Sequence, residues 1–180
     1  MKKILFTILS VAVALSSVSC NKFPHEGTAT ESIAGDWTCT IYCAEGNEWV
    51  PYYEADYMTY NTAANVPTEI WLDDNETFWG TKCKIDADAA NLSFGANGKD
   101  YTDIYNDVAQ KIFGGKVTKK GAIAPGSGST VDKIEFFIQF SDDEEPYAYT
   151  YYIVGYKYTG FPEDNGNYKD DWDLPAVPAN

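Results

Sequence analysis

The chain contains no arginine. All 13 basic side chains are lysines, set against 27 Asp and Glu in 180 residues, for a net charge of −14. Without a guanidinium fork, bidentate capture of phosphate or carboxylate is unavailable. The negative field also opposes nucleic acid and anionic membrane surfaces as partners. Neutral or cationic ligands meet no such barrier, and acidity by itself also serves solubility. Histidine is almost as scarce. The single one, His25, sits in a polar stretch near the N-terminus, so a Ser-His-Asp or Cys-His relay inside a folded domain is hard to assemble. No G-x-S-x-G elbow or phosphate-cradling glycine loop occurs. No catalytic residue, metal or cofactor is therefore assigned, and the reading leans away from an enzyme.

Cysteine is sparse too, at four residues. Cys39 and Cys43 are four apart on one expected strand, which separates their Cα atoms by about 13 Å. A disulfide needs roughly 4.4–6.8 Å, so at most one of them pairs with Cys83. Small buried hydrophobes are the default expectation, with a single bridge to Cys83 as the alternative. Three thiolates with no nearby His and no C-x-x-C spacing make a poor zinc site.

Long hydrophobic runs are missing except at the N-terminus. Lys2 and Lys3 precede an apolar run over residues 4–15, then Ser16-Ser17-Val18-Ser19 and Cys20. This order reads as a secretory signal peptide, too short to span a membrane. A small residue directly before Cys20 resembles the lipobox of bacterial lipoproteins, although Ser17 stands where Leu is usual. Residues 1–19 are then removed, and Cys20 becomes the lipidated (palmitate-type) N-terminus. The membrane is a partner through that anchor. The expected location is extracytoplasmic, at the outer membrane, on its periplasmic or cell-surface face. Residues 20–32 read as the lipidated Cys and a tether, 33–165 as one domain, and 166–180 as an irregular tail. Removing 1–19 deletes two basic residues and no acidic ones, leaving −16.

Aromatics are abundant: 14 Tyr, 9 Phe and 5 Trp. They fall in short β-type runs separated by turn residues. Residues 36–43 alternate, with Trp37, Cys39, Ile41 and Cys43 on one face. Residues 55–62 read as a strand. Residues 68–73 and 77–86 read as a hairpin around Asp74-Asn75-Glu76. Stretch 87–103 gives no clear pattern. Gly114-Gly115 reads as a primed turn between two strands, although Ile104, Val108 and Ile112 also fit a helix face over 102–112. Residues 131–140 place Ile134, Phe136, Ile138 and Phe140 on one face. A solvated acidic turn over 142–146 precedes a tyrosine-rich strand over 147–159. Regular strands with little helix predict an all-β fold, an antiparallel barrel or sandwich.

Three segments carry a family likeness: Ile33-Ala34-Gly35-Asp36-Trp37, then Gly114-Gly115-Lys116-Val117 with 131–136, then Gly155-Tyr156-Lys157-Tyr158-Thr159-Gly160-Phe161-Pro162-Glu163-Asp164. The first is similar to the G-x-W that opens lipocalin-like barrels, where the Trp packs across the floor. The whole resembles the lipid-binding putative hydrolases, a family of Gram-negative lipoproteins. The resemblance implies a single antiparallel lipocalin-like barrel of about eight strands around a small apolar cavity. It supplies no catalytic motif.

The leading functional expectation is a non-catalytic binder of a small hydrophobic or amphipathic, lipid-like molecule. Inward residues Trp37, Ile41, Trp79, Phe136, Ile138 and Phe140 are its candidate walls. Plain core packing is the competing role for each. The alternative is a surface carbohydrate-binding module with Trp49, Tyr52, Tyr53 and Trp71 as its platform. A two-carboxylate glycoside hydrolase ranks third, since it needs two acids facing each other about 5–9.5 Å apart. Oligomeric state leaves no trace in the sequence.

Overall fold

A computed structural model describes residues 27–178. The expected signal peptide and tether, with Cys20 and His25, lie wholly or mostly outside the described residues. The element order is β1 (Gly35–Glu45), β2 (Glu48–Asn61), β3 (Glu69–Asp73), β4 (Lys82–Asp88), β5 (Ser93–Phe94), β6 (Asp100–Thr102), β7 (Ala109–Ile123), β8 (Thr130–Phe140) and β9 (Tyr151–Lys157). Every pairing is antiparallel. The order β5-β4-β3-β2-β1-β9-β8-β7 closes on itself through β5–β7, and β6 lies along the start of β7. Eight strands thus complete a ring, and closure removes the edges that an open sheet would expose.

The alternation read in the sequence sets the inside. On β1, Trp37, Cys39, Ile41 and Cys43 are buried, and Ile134, Phe136, Ile138 and Phe140 are fully buried on β8. The three described cysteines are free buried thiols, with no bridge to Cys83. One end is closed. Trp37 Nε1 donates to Thr59 Oγ1 at 2.8 Å, and Thr59 Oγ1 donates to the Ile33 carbonyl at 2.7 Å. The Lys157 ammonium lies 5.9 Å from the Trp37 ring and donates to the Ala34 carbonyl at 3.2 Å. A short 3-10 turn, Glu31–Ile33, puts the buried Ile33 at this end.

Four local expectations change. Strand β2 begins at Glu48, not near 55, after the two-residue turn Gly46-Asn47; Gly46 has φ +63°, as a II′ turn requires. Pro51 hides this start in the sequence. It is tolerated because β2 is bulged here: Ile41 faces Tyr53 but Tyr42 faces Pro51, leaving Tyr52 unpaired. Residues 77–81 are loop, not strand, so the β3–β4 connection runs from 74 to 81. Gly114-Gly115 is neither a turn nor next to a helix. It is a bulge inside the 15-residue β7. Gly114 has φ +64°, and a Cβ on Gly115 would come within 2.3 Å of the Phe94 ring, so glycine lets β5 close the ring. Finally, the stretch 87–103 holds two short strands: β5, which closes the barrel against β7, and β6, which lies along the start of β7.

The tail is a strap over the outside. Thr40 Oγ1, Tyr42 Oη and Trp49 Nε1 donate to the carbonyls of Lys169, Asp170 and Pro175 at 2.5, 3.0 and 2.7 Å. Trp172 packs beside the buried Tyr42, Tyr152, Val154 and Tyr156. Both faces of β1 are therefore buried.

Candidate functional site

The end of the barrel away from Trp37 is covered by loop 74–81, which carries Phe78 and Trp79. The loop is organised by one carboxylate. Asp74 is fully buried, and its oxygens accept backbone N–H groups from Glu76 (2.9 Å), Phe78 (3.4 Å), Trp79 (3.0 Å) and Gly80 (3.1 Å). Burial pushes the Asp74 pKa up, and these donors oppose it. Asn75, Glu76 and Gly80 all have positive φ, at 50°, 58° and 76°, so the tight path depends on those bonds. The neighbouring Asp73 points the other way. Its carboxylate accepts Tyr60 Oη at 2.7 Å and Tyr105 Oη at 3.1 Å and pairs with Lys82 at 2.7 Å. Burial would raise the Asp73 pKa, but Lys82 and Tyr60 prevail and lower it.

Under the loop lies an aromatic collar. Trp79 stacks on Phe140 with centroids 4.4 Å apart. Phe78 sets its edge against Phe140 and Tyr151 at 5.9 and 5.6 Å. Tyr53 stacks on Phe78 at 5.6 Å, and Tyr52 leans on Tyr151 at 5.5 Å. The rings grade outward from Phe140, fully buried, to Tyr53 and Tyr52, which are 49% and 54% exposed. The side-chain bond from the Trp79 ring is Nε1 to Asp142 at 2.9 Å. Tyr151 donates to Asp143 at 3.1 Å. The acidic turn is thus not merely solvated, since two of its carboxylates hold collar residues.

Of the six candidate wall residues, Trp79 and Phe140 meet here. Trp37 sits at the opposite, closed end. Ile41, Phe136 and Ile138 are fully buried between the two ends. The sequence reading missed Phe78, Tyr151 and Asp74. It assigned Tyr52 and Tyr53 to a different surface. The collar signal was faint, because the bulge at Tyr52 and the loop geometry at Phe78 both break simple alternation. The proposed carbohydrate platform does not form as one surface: Trp49 stacks on Phe137 and tilts against Tyr152 beneath the strap. A groove of about 490 Å³ runs past Asp36, Trp37, Asp56 and Tyr158 and is also lined by Asn75 and Thr77 of loop 74–81. Burial raises the Asp56 pKa against a hydrogen bond from Thr38, and the Asp36 charge adds to the rise. The buried thiols are poor nucleophiles: burial, then the charges of Asp103 and Asp74, push Cys83 up to about 12.

The described residues thus form a closed antiparallel barrel with a Trp–Lys floor at one end and an aromatic collar at the other. The family model for lipid-binding putative hydrolase matches residues 24–162. The chain belongs to the lipid-binding putative hydrolase family. No curated protein matches it. The family match covers β1 to β9 and ends at Pro162, so the strap lies beyond it. The family name indicates lipid binding.

Proposed function

We propose that the chain binds a small hydrophobic or amphipathic molecule without turning it over, at the collar end of the barrel. It does so outside the cytoplasm, anchored to the outer membrane through lipid on Cys20. The observation that carries this reading is the collar itself. It is a graded set of rings under a loop held rigid by Asp74, its Trp79 tip tied to Asp142. Between the two ends the inward side chains are fully buried, so an acyl chain gains contact by replacing Phe78 and Trp79 over Phe140 and Tyr151. Binding then requires the loop to lift as a unit, a minor state that the ligand selects. Apolar rings supply the affinity, and tyrosine hydroxyls at the rim orient the ligand.

Native mass spectrometry tests the binding. Protein purified without detergent and incubated with a membrane lipid extract is expected to carry a lipid-mass adduct; a mass that stays clean would end the reading. The anchor is tested separately. Cys20→Ser is expected to abolish incorporation of labelled palmitate and to release the protein from the membrane fraction.

A further inference from the structure

Inside the barrel, beneath the loop, lies a patch of buried polar side chains. Tyr57 from β2, Thr81 at the loop's end, Cys83 from β4 and Gln110 from β7 are all fully buried. The Cys83 thiol approaches Gln110 Oε1 at 3.7 Å. The hydroxyls of Tyr57 and Thr81 lie close to one another, yet neither is in hydrogen-bond geometry. Gln110 Nε2 also lacks a partner among the described residues. Buried polar atoms in folded proteins are overwhelmingly paired, and each orphan calls for an explanation.

The chemistry of the missing partner follows from the donors. An amide nitrogen only donates, and both hydroxyls have a proton to give. An acceptor is thus the one partner that suits all three, since Gln110 Nε2 can only donate while the two hydroxyls can donate or accept. Its charge is constrained as well. Buried Asp74 and Asp103 lie nearby, and no lysine is among the buried residues. Lys82, which flanks the patch, turns outward to Asp73 and the rings of Tyr60 and Tyr105. A carboxylate head placed here would meet two acids and no counter-charge.

We infer that Tyr57, Thr81 and Gln110 form the polar terminus of the lipid site and take an uncharged oxygen acceptor, such as a ketone or ester carbonyl, in preference to a carboxylate. This rests on the lipid-binding reading and sharpens it. The ligand inserts its neutral polar end first, past the lifted loop, and leaves its chain against the collar.

Three probes of equal chain length separate the outcomes: 2-dodecanone, dodecanoate and dodecane, titrated into the purified protein and quantified by native mass spectrometry. The ketone is expected to bind about tenfold or more tightly than either of the others. In the double variant Tyr57→Phe with Gln110→Met, the ketone's advantage over dodecane is expected to vanish while dodecane binding persists. The inference is overturned if wild-type protein ranks dodecanoate first or binds ketone and alkane alike. It is also overturned if the double variant keeps the preference, which would leave the orphaned groups to water alone. Failure of all three probes to bind would instead remove the lipid-binding reading, and this inference with it.

Discussion

At the scale of single residues, Asp164 shows how one carboxylate ties the strap to the barrel. It is 1% exposed. One oxygen accepts the N–H groups of Gly126 and Ser127 at 2.9 and 2.8 Å, and the other accepts Thr159 Oγ1 at 2.6 Å. Burial alone would raise its pKa, but Thr159, Ser127 and Gly126 overrule burial and hold it at about 2. A carboxyl whose pKa is depressed on folding stabilises the folded state above its unfolded pKa, and that contribution fades as pH falls toward the folded value. Wild-type protein and Asp164→Asn should therefore differ in denaturant midpoint at pH 7 and converge as pH drops from about 4 to about 2. Constant separation down to pH 2 would assign the difference to packing instead. Residues of this kind are hard to see in sequence. Asp164 and Gly126 are 38 positions apart, and nothing local distinguishes Asp164 from the solvated acids around it. Trp37 was legible because it alternates with Cys39, Ile41 and Cys43 and stands in a Gly-x-Trp that resembles the opening of lipocalin-like barrels. Gln110 was not, because a polar residue beside Lys111 reads as outward-facing.

The loop 74–81 is the element on which access depends. Asp74→Ala removes the acceptor for four backbone N–H groups in a segment with three positive-φ residues. We expect a loss of about 2–4 kcal/mol in denaturant unfolding, with a weakened near-UV signal from the collar rings. A variant within about 0.5 kcal/mol of wild type would show that the aromatic packing alone holds the loop. Elements differed in how openly the sequence declared them. Strands β1 and β8 announce themselves by unbroken alternation between turn residues. Strand β7 does not, because a Gly-Gly pair supplies positive φ equally to a turn and to a bulge; the choice is made by Phe94 on the paired strand β5, not by neighbours in the chain. Strands β5 and β6 are two and three residues long, too short to show any period. The tail reads as irregular, and it is. Its role appears only once Tyr42, Trp49 and Tyr156 are seen donating to its carbonyls.

For the molecule as a whole, one end is a floor and the other a cover. The Trp37–Thr59–Ile33 chain of bonds with Lys157 fixes the floor, and the outer strap stiffens the wall formed by β1 and β9. The opposite end has its aromatic rings graded toward solvent and a loop over them. The net charge of −14 favours solubility and leaves uncharged ligands unopposed. Binding is therefore expected at one place. A dodecyl chain carrying a terminal ketone and a photoreactive diazirine, cross-linked to the protein and mapped by peptide mass spectrometry, tests this most directly. Labelling should fall on the segments holding Tyr52 and Tyr53 and holding Phe78 and Trp79, and excess unlabelled 2-dodecanone should suppress it. Labelling confined to the groove at Asp36, Asp56 and Tyr158, or no competable labelling at all, would contradict a lipid site at the covered end of the barrel.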